Sequence, residues 1–187
     1  MFKSMLLRAR IIIKKGDIFS AKIDDRSKKY FQYVSDDETQ LDSNVIRVYK
    51  KVYKVDENPS LPDIVKDEID FYVHCLIKLG LQLEFWTKVG AIKDIGIVDV
   101  IFRHTEDYGR AVNQAPVRIS NKWYVWRIND PEITRVGKLI GENRNAEIGL
   151  VINPKSIVHR MKTGQYDFEF YPEFEWLLLG RPYNSDT

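Results

Sequence analysis

The chain is poor in the residues on which much protein chemistry depends. Of its 187 residues one is cysteine, Cys75, and three are histidine. A single thiol excludes an internal disulfide and a cysteine-only metal site. Inside the apolar run Phe71-Tyr-Val-His-Cys-Leu-Ile77 it reads as a small buried hydrophobe of a reducing compartment. His74, His104 and His159 never fall into a His-x-His or His-x-x-x-His spacing. A zinc site would therefore need three separate elements to converge, with a carboxylate as a further ligand. No apolar run approaches the ~20 residues that a spanning helix requires. Charge breaks the opening Met1-Phe-Lys-Ser-Met-Leu-Leu-Arg-Ala-Arg10 too early for a secretory leader. A cytoplasmic protein is expected, with no membrane partner and no cofactor.

The nucleotide and nucleophile motifs are missing too. Gly137-Lys138 lacks the glycine five positions earlier, and Leu139 stands where a phosphate loop needs a hydroxyl for magnesium. No Gly-x-Gly-x-x-Gly follows a strand, and none of the nine serines lies in Gly-x-Ser-x-Gly. The run Asp36-Asp37-Glu38 to Asp42 has Leu41 where a calcium loop needs its glycine, and Arg47 where it needs a bidentate glutamate. None of the 27 acidic residues has a lysine two positions on, the offset common in nuclease metal sites. Asp24, Asp25, Asp36 and Asp37 read as turn residues bonding their own backbone rather than as an acid/base pair. No catalytic residue is assigned.

What is present is material for a core. Hydrophobic residues make up 44% and aromatics 12%, and a chain of this mass can bury about 70% of its unfolded surface. Lysine and arginine number 29 against 27 acidic residues, a net +2, so any charge-driven binding must be local. Strands are predicted over 9–13, 18–23, 29–34, 45–53 and 95–102, with a hairpin of 117–119 and 123–128 about Ser120-Asn-Lys122 and a further strand over 146–152. Residues 70–79 fit strand or helix, with a slight lean to strand, and 81–89 a short helix or irregular turn. Asp63 is expected to cap one helical turn after Pro62. The clearest helix is 154–162, with Pro154 at its first position and Gly164 as its stop. Together these predict one domain over 1–187, of α+β class, built on a mainly antiparallel, strongly curled sheet with a few short helices.

Two strands carry binding signals. Over 165–176 the chain alternates strictly, with Asp167, Glu169, Glu173 and Glu175 on one parity and Phe168, Phe170, Phe174 and Trp176 on the other. An extended chain would anchor the aromatics and project a carboxylate row. Such a row imitates a phosphate backbone and attracts a basic partner; it also serves as a charged edge that resists aggregation. Over 45–53, Arg47, Tyr49, Lys51 and Tyr53 interleave cations with aromatics, a pattern suited to single-stranded nucleic acid or to pairing with an acidic neighbour. Trp123 and Trp126 flank Tyr124 and Val125 on one strand; exposed, they would be anchors for a partner, and covered, they are core.

Several stretches in order resemble the immunity protein 26 family of bacterial polymorphic toxin systems: Lys15-Gly-Asp-Ile-Phe19, Lys29-Tyr-Phe-Gln-Tyr-Val34 and Gln40-Leu-Asp-Ser-Asn-Val-Ile-Arg-Val-Tyr49, then Asp70-Phe-Tyr-Val-His-Cys75, Leu83-Glu-Phe-Trp-Thr-Lys-Val-Gly90, Trp123-Tyr-Val-Trp126 and Ala146-Glu-Ile-Gly149. The resemblance covers about residues 15–175. It implies a protein that protects its producer by binding a cognate toxin domain without catalysis, and it brings no catalytic residue. Two alternatives stand beside it. One is a metal-dependent phosphoester or organophosphate hydrolase using His74, His104 or His159. The other is a nucleic-acid-binding sheet using Arg47, Tyr49, Lys51 and Tyr53, disfavoured by the near-neutral charge.

Overall fold

A computed structural model describes residues 12–109, 115, 117–170, 172 and 173. Its strands begin with a meander of β1 (Asp17–Lys22), β2 (Ser27–Asp37) and β3 (Ser43–Tyr49), followed by the short β4 (Tyr53–Lys54). The helix α1 (Leu61–Val65) is capped by Ser60, whose Oγ accepts from the Asp63 backbone N–H, so the cap lies three residues before the expected Asp63. Then come β5 (Ile69–Cys75), α2 (Ile77–Gln82), β6 (Trp86–Ala91), β7 (Ile101–Thr105), β8 (Trp123–Arg127) and β9 (Thr134–Gly137). A 3₁₀ turn over Gly141–Asn145 leads to β10 (Glu147–Ile148), β11 (Val151–Ile152) and α3 (Pro154–Thr163).

Seven strands form one sheet in the order β11-β5-β3-β2-β1-β6, with β4 also on β2; four form a second in the order β10-β7-β8-β9. The class is α+β. The expected mainly antiparallel, strongly curled sheet is corrected: both sheets are mixed and open, because β10 joins β7 and β11 joins β5 in parallel. The predicted strand 146–152 is cut between them, and its halves serve different sheets. Gly149 makes the cut possible. A Cβ there would overlap the Trp126 ring, and its N–H donates to the Arg103 carbonyl at 2.8 Å.

One face of the large sheet is apolar by strand parity. Cross-strand register aligns Phe19, Phe31, Val48 and Phe71 in one row and Tyr33, Ile46 and Val73 in the next. Ile77 of α2, Ile157 and Met161 of α3, and Trp86 close over these rows. Fully burying each such side chain stabilises by about 1.5–3 kcal/mol. The opposite face is divided. Tyr30, Tyr49 and Tyr53 lie under Ile64 of α1, while Val34 and Val45 meet Phe102 and Trp126 of the second sheet.

Three expectations of local structure change. The hairpin about 120–122 does not form: among the described residues Ile119 bridges Glu173 instead, and the Ser120 Oγ accepts from the Lys122 N–H at 2.9 Å and turns the chain into β8. Leu81–Val89 is the end of α2 followed by β6, since Gly80 packs against the Trp86 ring and a side chain there would collide with it. The predicted strand over 95–102 starts only at Ile101. By contrast α3 forms as read, with Asn153 accepting from the Ser156 N–H at 2.9 Å and Gly164 left-handed at φ 82°.

Candidate functional site

The helix α3 and the chain beyond it wall a cleft of about 700 Å³ against the second sheet. Three charged side chains line its interior. Arg160 on α3 donates through Nη1 to Glu147 Oε2 at 2.7 Å, through Nη2 to Oε1 at 3.1 Å, and through Nη1 to the Tyr166 hydroxyl at 3.0 Å. Its guanidinium lies 3.9 Å from the Phe71 ring centroid and 4.9 Å from that of Tyr166. Burial works against the Arg160 charge, but Glu147 and Tyr166 outweigh it and raise its pKa. Arg103 of β7 lies beside them and donates to the Ala146 carbonyl. Burial lowers its pKa to about 10, with Arg160 adding to the shift and Glu147 opposing it. Burial likewise pushes the Tyr166 hydroxyl up to about 12.

Residues 165–170 cross this cleft as a strap. The predicted strand is absent over this part: none of these residues pairs in a sheet. The predicted division of faces is present all the same. Gln165, Asp167 and Glu169 are exposed, while Tyr166, Phe168 and Phe170 are half-buried. Side chains do the work of a ladder. Tyr166 stacks on Phe168 at 5.1 Å, and Phe170 stacks on Tyr108 at 5.1 Å, with Trp123 at 6.4 Å. The Ser156 hydroxyl hydrogen-bonds Asp167 and holds its carboxyl below the usual carboxylate range. Beyond the strap, Glu173 is tied by its backbone: its N–H donates to the Arg118 carbonyl at 2.8 Å, and its carbonyl accepts from the Ser120 N–H at 3.1 Å. Of the four carboxylates singled out, Asp167, Glu169 and Glu173 line this one cleft; Glu175, with Phe174 and Trp176, lies outside the described residues.

Trp123 and Trp126 are 1% and 3% exposed. They are core rather than open anchors, although Trp123 still lines the cleft. The indole N–H of Trp123 donates to the Ser120 carbonyl at 2.8 Å and that of Trp126 to Asp37 Oδ2 at 3.0 Å.

The cation–aromatic set on β3 and β4 is covered as well. Arg47, Tyr49 and Tyr53 are 8%, 1% and 3% exposed, because α1 and the chain around Ile92 close over that face. Gln32 collects this group: its Oε1 accepts from Arg47 Nη2 at 2.6 Å and from the Tyr49 hydroxyl at 3.0 Å. Lys51 alone is exposed, 4.7 Å from the Tyr53 ring centroid. Bases have no open stacking platform here.

The histidines occupy three unrelated places. His159 lies on α3, and His104 on β7, where its Nδ1 accepts from the Tyr124 hydroxyl or donates to it at 3.0 Å. His74 is fully buried between the sheets. Its Nδ1 lies 3.0 Å from Ser43 Oγ and its Nε2 3.6 Å from Asp37 Oδ2. Asp37 also accepts from Thr39 Oγ1 at 3.2 Å and the Asn129 N–H at 3.3 Å. The order Asp37, His74, Ser43 resembles a charge-relay set. However, burial drives the His74 pKa down to about 4 despite the upward pull of Asp37, which makes it a poor base at neutral pH. Ser43 lines a small cleft together with Asp36, Glu38 and Asp42, a surrounding that repels a developing oxyanion. The set ties β2, β3 and β5 to β8.

Sequence reasoning missed this junction and the Arg103–Glu147–Arg160 group. Successive members are separated by between 6 and 44 positions, and no local spacing marks them. Among the described residues no group of three or more His, Cys, Asp or Glu side chains is placed to hold a metal ion, and no helix is long and apolar enough to cross a membrane. Comparison with protein-family models, with curated proteins and with solved structures finds no match to this chain.

Proposed function

We propose that this protein acts by binding another protein, as an immunity protein that neutralises a cognate toxin domain in the cytoplasm of its producer. The observation that supports this reading is the strap. Its aromatic side chains are turned inward and held by stacking, while Asp167 and Glu169 face solvent beside Glu173 on the rim of the same cleft. A carboxylate row fixed from behind pays little ordering entropy on docking and attracts a basic surface, such as the nucleic-acid cleft of a nuclease toxin. An interface of standard size would bury about 1,600 Å² in total, more than the strap alone offers, so flanking surface takes part.

The test is co-expression with the variable carboxy-terminal domain of the large secreted protein that this reading expects to be encoded immediately upstream, scored by survival of the cell. Wild-type chain restores growth. The double reversal Asp167→Lys/Glu169→Lys, shown by circular dichroism to be folded, weakens protection and lowers affinity about tenfold or more. Equal protection by the reversed and wild-type chains would remove the strap from the interface; no protection by either would remove the immunity role.

A further inference from the structure

A second cleft, of about 320 Å³, is lined by Asp70, Asp99, Arg127 and Glu142 and shares Asn145, Ala146 and Glu147 with the strap cleft. The two therefore adjoin, and together they run from the strap to the ends of β5, β7 and β8. We propose that they form one continuous groove that receives an extended, lysine- and arginine-rich segment of the partner protein. This rests on the protein-binding reading above and extends it from the strap to a defined track.

Charge carries the argument. The lining residues of the joined groove include seven carboxylates and three guanidiniums, a formal −4, on a chain whose whole sequence sums to +2. The remainder of the molecule is thus formally +6, so the groove opposes the sign of the chain as a whole and draws a cationic segment in. The groove is also uneven along its length. At its middle Glu147 is answered by Arg160 at 2.7 Å, and on one wall Asp70 by Lys29 at 2.6 Å. At the far end Asp99 and Glu142 both pair with Arg127, and their side chains are 71% and 74% exposed. At the near end the exposed Asp167 and Glu169 project from the strap. Two acidic poles separated by a neutralised waist suit a chain that presents cations at two separated positions. A compact divalent ion would need the carboxylates gathered at one point.

The probe is a fluorescein-labelled peptide of alternating arginine and serine, titrated with the full chain and read by fluorescence anisotropy at low and physiological salt. Wild-type protein binds it, more weakly as salt rises. Asp99→Asn/Glu142→Gln at one pole and Asp167→Asn/Glu169→Gln at the other each raise the dissociation constant about tenfold. Asp25→Asn/Asp56→Asn, which removes the same charge from exposed sites outside the groove, changes it less than twofold. An equal loss in that control, or no loss in the Asp99/Glu142 pair, overturns the groove. Neutralisation of the toxin domain separates the two ideas. If the strap reversal abolishes protection while Asp99→Asn/Glu142→Gln leaves it intact, the groove falls and the binding role stands. If the strap reversal is also silent, the protein-binding reading falls first.

Discussion

The junction of the two sheets makes the molecule sensitive to acid in a calculable way. His74 has no exposed surface, and burial holds its pKa at about 4, against 6.5 for the free side chain, with Asp37 pulling weakly upward. Between those values the unfolded chain binds a proton that the folded chain refuses. The contribution is therefore complete above about pH 6.5 and is lost as pH falls toward 4. The full gap corresponds to about 3 kcal/mol, of which about 2 kcal/mol falls between pH 7 and pH 5. For a chain of this size that lowers the melting temperature by about 4–8 °C. The measurement is a set of urea or thermal unfolding curves from pH 7.5 to pH 4.5, comparing wild type with His74→Gln. The variant is less stable throughout, but its stability declines less steeply with acid, because the carboxylates common to both proteins cancel in the difference. Parallel pH slopes in the two proteins would refute the assignment of this loss to His74, and with it the view that the junction is desolvated.

Four further outcomes follow from the packing. Gly149→Ala places a methyl group against the Trp126 ring and costs about 1–3 kcal/mol, read as a shift in the urea midpoint. Trp126→Phe removes the donor to Asp37 Oδ2 and leaves a fully buried carboxylate one hydrogen bond short, for about 1–3 kcal/mol. Asn153→Ala removes the cap of α3 at about 1 kcal/mol, whereas Asn153→Asp preserves it; the pair is compared by thermal denaturation. Ile157→Ala opens a cavity under α3, where the side chain is wholly buried, for about 2–5 kcal/mol, with increased binding of a hydrophobic dye as the corroborating signal.

The parts legible in the sequence were those governed by short-range chemistry. The helix α3 was readable because Pro154 and Gly164 act within a single turn of its ends. The meander β1–β2–β3 was readable because short polar turns bound runs rich in β-branched and aromatic residues. The breaks were not readable. Nothing in Ala146-Glu-Ile-Gly-Leu-Val-Ile152 shows that the chain changes sheet at Gly149, since the cause is an indole 23 positions earlier. The covering of Arg47, Tyr49 and Tyr53 was hidden for the same reason: parity separates two faces of a strand, but only tertiary packing determines whether the second face is solvent or α1.

The strap shows where such reading is reliable. Alternation over 165–176 predicts a strand; over 165–170 the alternation of exposure is present while the ladder is not. Hydrophobic burial sorts side chains by face whether or not backbone partners exist, so the pattern reports the sorting and not the hydrogen bonds. Here the missing ladder is replaced by the stacking of Tyr166 on Phe168 and of Phe170 on Tyr108, and by Arg160 bonding the Tyr166 hydroxyl. The strap is also fixed at its start, where Thr163 Oγ1 donates to the Gln165 carbonyl at 2.9 Å and accepts from the Gln165 N–H at 3.2 Å.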